Sequence, residues 1–138
     1  MSIDQFRRDV EHVASILRSH GFQRAPKFET ETPTTISVVY TGQNVAFTFK
    51  LDIRDQGIDL IVTRYRNGNL VPTWDGGYSS SLFMHLLNHC GFRGRPVPPA
   101  PFSPLAPKST RMLLALMNLL TYPCAASLLA DQADALPR

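Results

Sequence analysis

Residues 45–53 alternate without interruption. Val45, Phe47, Phe49, Leu51 and Ile53 are apolar, while Ala46, Thr48, Lys50 and Asp52 between them are small or polar. Side chains of an extended strand point to opposite faces in turn, so a period of two predicts a strand with one dry and one wet face. Sheets with one wet face are characteristically antiparallel. The neighbouring segments fit such a sheet. TTISVVYT at residues 34–41 is β-branched and alternating, and Gly42-Gln43-Asn44 forms a turn before the central strand. Residues 54–57, Arg-Asp-Gln-Gly, make the next turn. Ile58, Leu60 and Val62 then form the inward set of a third strand, with Ile61 and Tyr65 on its other face. Asn67-Gly68 tolerates the positive φ angles of a type I′ hairpin. Leu70 and Val71 begin a short fourth strand that Pro72 confines to an edge, because proline has no N–H for the ladder.

Helices flank this meander. Ser2, Ile3, Asp4 and Gln5 have the form of a capping box. Ile3, Phe6, Val10, Val13, Ile16 and Leu17 recur at helical spacing, and Gly21 stands at the left-handed C-terminal position with Phe22 free to fold back. A second helix is expected over residues 79–90, with serines as N-caps and Gly91 as its stop. RPVPPAPFSPLAP follows, an extended linker by composition. The expected fold class is α+β: N-terminal helix, four-stranded antiparallel meander, helix, proline-rich linker, and a C-terminal apolar helix or helical hairpin. The expected division is a domain at 1–94, a linker at 95–107 and a helical tail at 108–138 that packs on the domain.

The tail raises a membrane question. Residues 112–130 carry no charge and follow Lys108 and Arg111, a composition that fits a bilayer span. Pro123 in mid-run, the amide of Asn118 and the polar Thr121-Tyr122 pair argue instead for a hairpin broken at Pro123, packed on the sheet or on the second helix. Cys90 and Cys124 have no partner at metal-type spacing and are too few for a secreted disulfide framework, so a reducing, cytoplasmic location is expected. The 138 residues carry 14 Lys+Arg against 11 Asp+Glu, a net charge of +3, which is too small to demand nucleic acid. Charge is unevenly spread: Asp75 and Asp131 are consecutive carboxylates, and Arg93, Arg95, Lys108 and Arg111 lie between them.

No catalytic residue, cofactor or metal site is expected. His85 and His89 stand at the i, i+4 spacing of metal ligands, with Cys90 next, but two ligands are not a site. Ser79, Ser80, Ser81, Asp75 and His85 lack the second glycine of a nucleophile elbow. Arg64 and Arg66 share one strand face with Tyr65 opposite, a pattern open to phosphate contact and base stacking but without an RNA-recognition signature. Trp74, the one tryptophan, lies in a glycine-flanked loop. It either covers the core edge beneath the second helix or serves as an interface anchor, since Trp, Tyr and Arg dominate binding hot spots. The expected partner-binding set is Arg64, Arg66, Trp74, Asp75 and Tyr78.

The helix–meander–helix order and the segment TWDGGYSSSLFMHLLNHCG resemble the small immunity proteins of bacterial contact-dependent inhibition and other polymorphic-toxin systems. The resemblance covers about residues 2–94. It implies a cytoplasmic, non-enzymatic α+β domain that binds and occludes a cognate toxin domain. Two features depart from the pattern: inhibitors of nuclease toxins are often acidic, and the linker and apolar tail are not parts of such a domain. Type III secretion chaperones, also small α+β cytoplasmic dimers, resemble the architecture too, but they are usually acidic and rank lower on that ground. RNA or DNA binding through Arg64 and Arg66 is the alternative from a different class.

Overall fold

The computed structural model of the chain describes residues 2–98 and 107–137, so most of the expected linker lies outside the described residues. The N-terminal helical segment is α1 (Ile3–Val13) followed, after a step at Ala14, by α2 (Ser15–Ser19). Ser2 Oγ accepts the Gln5 amide at 3.0 Å, as a cap should. The other half of the capping box does not form: the Gln5 side chain donates to Asp9 Oδ1 at 2.8 Å. Gly21 takes φ +91°, and the amides of Gly21 and Phe22 donate to the carbonyls of Arg18 and Leu17. That is a Schellman closure, and it turns Phe22 into the core.

The sheet is antiparallel and has six strands where the sequence predicts four: β1 (Gln23–Arg24), β2 (Thr35–Thr41), β3 (Val45–Asp52), β4 (Gly57–Arg66), β5 (Asn69–Leu70) and β6 (Ser79–Ser81). The registers Tyr40↔Phe47, Val38↔Phe49 and Ile36↔Leu51 on one side of β3, and Phe47↔Val62, Phe49↔Leu60 and Leu51↔Ile58 on the other, gather the alternating apolar sets on one face, while on the face expected to be wet Val39 and Ala46 are buried as well. Asn67 at φ +54° and Gly68 at φ +79° make the two-residue hairpin that pairs Arg66 with Asn69. The two added strands cover edges. β1 pairs with one end of β2, and the connector after it continues along β2: the Val39 amide donates to Glu29 Oε2 and the Ser37 amide to the Thr30 carbonyl. β6 pairs with β4 at Ile61–Thr63, so helix α3 (Leu82–His89) begins three residues later than the serine run suggests. Of the three serines only Ser81 caps, accepting the Met84 amide at 3.1 Å.

The tail is α4 (Lys108–Asn118), two 3-10 turns, and α5 (Ala126–Leu129). Among the described residues no single helix is long and apolar enough to cross a membrane; the uncharged run bends by 83° between its two helical parts. Leu113, Leu116, Leu119, Leu120, Leu128 and Leu129 are buried and join one core with Phe6, Val10, Leu17, Phe47, Phe49 and Leu60. Each such side chain contributes about 1.5–3 kcal/mol of apolar burial. α4 lies against α1 and β4, where Asp9 Oδ2 accepts the hydroxyls of Ser109 at 2.7 Å and Thr110 at 2.9 Å.

Two cysteines 34 residues apart, expected as separate thiols, form a disulfide between the end of α3 and the turn before α5, Cys90–Cys124. The proximity is tertiary, set by the bend after Thr121, so no spacing rule announces it. Closing a loop of this length removes denatured-state freedom. The Cys90→Ser/Cys124→Ser variant is expected to lose about 2–4 kcal/mol of stability in oxidising buffer, and reductant should bring the wild type to the same denaturation midpoint. A second expectation concerns the β2 edge. Burial pushes the Glu29 carboxyl up, but the paired N–H groups of Arg24 and the Val39 amide outweigh it and hold it below the ordinary glutamate range. Stability from a lowered carboxyl is full above its unfolded value and lost as pH falls through the folded one. Glu29→Gln is therefore expected to be less stable than wild type at neutral pH, with the gap closing in acid; urea titrations at several pH values measure it.

Candidate functional site

Val71 leaves the sheet and Tyr78 returns to it, and both ends of the excursion bond the main chain of Arg64. The Val71 amide donates to the Arg64 carbonyl at 3.0 Å, and the Arg64 amide donates to the Tyr78 carbonyl at 2.9 Å. Within the loop, residues Thr73–Asp75 make a 3-10 turn closed by Asp75 and Gly77 amides on the Pro72 carbonyl. Gly76 has φ +76°, and a side chain at Gly77 would run into the carbonyls of Val71 and Pro72. The loop is thus short, closed at its base and internally bonded, and it carries Trp74 at its tip.

Trp74 is 88% exposed. It does not cover the core edge beneath the second helix. Asp75 beside it is exposed, and Arg66 is exposed with one guanidinium N–H 3.4 Å from the Asp75 carbonyl. These three of the expected partner-binding residues come together at one corner of the molecule.

Arg64 does not join them. Arg64 and Arg66 follow Ile58, Leu60 and Val62 in the same parity, so the Arg64 side chain extends the core face past its last apolar residue. There it meets the chain's end: Nη2 donates to the carbonyls of Leu136 at 3.1 Å and Pro137 at 2.6 Å, and Nη1 reaches Ala133 at 3.4 Å. Its Nε is buried without a hydrogen-bond partner among the described residues. A guanidinium held in this way is not offered to a partner.

Tyr78 is half-buried, and its hydroxyl lies 2.7 Å from Nδ1 of His85, which is only 2% exposed. Burial holds the Tyr78 phenol above its ordinary range. Burial, and then the neighbouring His89, hold His85 toward its neutral form. The three rings form a triangle: centroids lie 5.4 Å apart for Tyr78–His85, 6.1 Å for Tyr78–His89 and 5.3 Å for His85–His89. The serines do not share a hydrogen bond with His85. Ser79 Oγ is 3.2 Å from Thr63 Oγ1, Ser80 donates to the Ser81 carbonyl and Ser81 is the helix cap. Among the described residues no group of three or more His, Cys, Asp or Glu gathers as a metal site.

A second concave surface lies at the hairpin end of the sheet. His20, Gln23, Gln43, Tyr65 and Asp131 line an open groove of about 580 Å³. Tyr65 packs edge-on to Phe28 at 5.9 Å, and Lys27 lies over Phe28 at 4.9 Å. The sequence places Tyr65 on its strand and Gln43 in its turn but gives no sign of Phe28, because a 3-10 turn in a polar connector has no periodic signal.

Asp131, which lines that groove, is bonded into the fold. It occupies the left-handed position after α5 at φ +58°, with its amide on the Leu128 carbonyl and the Gln132 amide on that of Ser127. Its carboxylate accepts the main-chain amides of Gln43, Asn44 and Val45, and its carbonyl accepts Asn44 Nδ2. A Cβ at Gly42 would overlap the carboxylate. Compared with known proteins, the chain matches no family model, no curated protein and no solved structure.

Glycine suits a left-handed position better than aspartate does, so Asp131→Gly separates backbone comfort from the carboxylate's bonds. The expected result is a net loss of about 1–3 kcal/mol, the scale of losing charged acceptors for several amides, read from chemical denaturation. Arg64→Met should show a loss of similar sign and leave the exposure of Trp74 unchanged by fluorescence quenching.

Proposed function

We propose that the chain is a non-enzymatic protein-binding module that acts by occlusion, as an immunity protein neutralises a cognate toxin domain. The observation that carries this reading is Trp74, 88% exposed on a loop whose two ends are bonded to one residue of the sheet. A large side chain held out by a short, bonded loop loses little freedom on burial in a partner, which is the economy of a hot-spot residue. Arg66 and Asp75 beside it provide one charge of each sign for register. Arg64 leaves the set because its side chain closes the core, and Tyr78 supports the loop from below through its bond to His85.

The same fact weakens nucleic-acid binding through an arginine pair: Arg66 is left with Lys27 near Tyr65, and few phosphates would be contacted. The cytoplasmic location in this proposal requires the fold to hold with Cys90 and Cys124 reduced, because such compartments keep thiols free. Alkylation and mass spectrometry of protein from its host read the state of that pair directly.

In this reading Trp74→Ala weakens the complex by about 2 kcal/mol or more, and Arg66→Glu weakens it further, while circular dichroism and thermal midpoint stay at wild-type values. The measurement is calorimetry with the partner that co-purifies from the host. Affinity unchanged in both variants sinks the proposal. Binding of RNA that falls steeply with salt would replace it with the nucleic-acid reading.

A further inference from the structure

We propose that Tyr78, His85 and His89 bind one late first-row transition-metal ion, through an imidazole nitrogen of each histidine and the phenolate oxygen of Tyr78. The two histidines lie on one side of α3 by their i, i+4 spacing. Alone they are half a site. The fold adds the third donor: β6 and the return of the Trp74 loop bring Tyr78 over the same face, 2.7 Å from His85 Nδ1.

The geometry of the three rings fits a shared ion. Imidazole nitrogens held at about 2.1 Å from one metal place their ring centroids about 5 Å apart, and a phenolate on the same ion places its ring about 5.5–6 Å from each. The observed separations are 5.3, 5.4 and 6.1 Å. Two donors on one such ion stand about 3 Å apart, so the Tyr78–His85 pair needs to open by only a few tenths of an ångström. On binding, the Tyr78 hydroxyl gives its proton to solvent and the metal takes the position of that proton between oxygen and Nδ1. His85 then keeps its proton on Nε2.

Donor chemistry selects the ion. Two imidazoles and one phenolate suit Cu(II), Zn(II) or Ni(II), and Cu(II) is held most tightly by nitrogen and oxygen donors. Calcium and magnesium need several oxygen ligands, and the sequence from Gly76 to Ala130 contains no carboxylate to supply them. Access is built in: His85 is buried, Tyr78 is half-buried and His89 is exposed, so the ion enters on the His89 side, where water completes its coordination. The site adjoins the base of the Trp74 loop through Tyr78, and its test needs no protein partner.

The test is titration of the full chain, disulfide intact, with Cu(II) alone in a non-coordinating buffer, followed by calorimetry, electron paramagnetic resonance and visible absorption. The expected result is one ion per chain with nitrogen hyperfine structure and a phenolate-to-copper charge-transfer band. Tyr78→Phe should abolish the band, and Tyr78→Phe and His89→Gln should each weaken binding about tenfold or more, the loss that even an outer-shell partner brings. Tyr78→Phe keeps the ring, His89→Gln changes an exposed position, and circular dichroism checks that both fold. A His12→Gln/His20→Gln variant removes the remaining histidines and should bind as wild type does. Substoichiometric copper, or wild-type affinity in either Tyr78→Phe or His89→Gln, overturns the proposal.

Discussion

The apolar face of the sheet has to be covered, and the C-terminal tail shares that cover with α1 and α3. What holds the tail in place is one carboxylate. Asp131 accepts three consecutive main-chain amides from the β2–β3 turn, groups that a tight turn otherwise leaves to water. Arg64 completes the closure from the neighbouring strand by donating to the carbonyls of Leu136 and Pro137. Val45 and Arg64 are register partners, so both bonds act at the same end of the core. The disulfide pins the middle of the tail to α3, and Asp9 pins its start to Ser109 and Thr110. The tail is therefore fastened at its start, middle and end, and its leucines belong to the main core.

This closure decides which residues remain for recognition. An arginine at the end of a strand's apolar set is drawn over the core and engaged by carbonyls. Its neighbour two residues on lies beyond the last layer and stays exposed. The backbone of Arg64 has a second task, because it bonds both ends of the Trp74 loop. One residue thus ties the core's end to the base of the exposed tip.

The elements governed by local chemistry were readable from residues alone. The alternation at residues 45–53, the Ser2 cap, the Gly21 closure with Phe22 and the Asn67-Gly68 turn each follow from conformational preferences within a few positions, and each is found. Within the site, Trp74, Arg66 and Asp75 converge as their loop and hairpin positions suggest, whereas the Tyr78 bond to His85 and the closure by Arg64 do not appear at that level. β1 and β6 have the composition of a polar connector and a capping run; they become strands because the edges of β2 and β4 offer unpaired groups. Asp131 follows a short helix with no glycine after it, which hides a helix end. Its carboxylate has meaning only beside a turn about 87 positions earlier in the chain.

The sequence by itself determined the α+β class, the antiparallel sheet, the parity of its faces and the presence of one glycine-flanked tryptophan, because alternation, capping and turn propensity act between neighbours. Only the tertiary structure decided that the apolar tail is core, that Cys90 meets Cys124, that Arg64 is withdrawn from the surface and that Tyr78 joins His85 and His89. These depend on which distant segments come to rest against a face that must be kept from water. That choice is made by the packing of the whole chain, and no short window of residues encodes it.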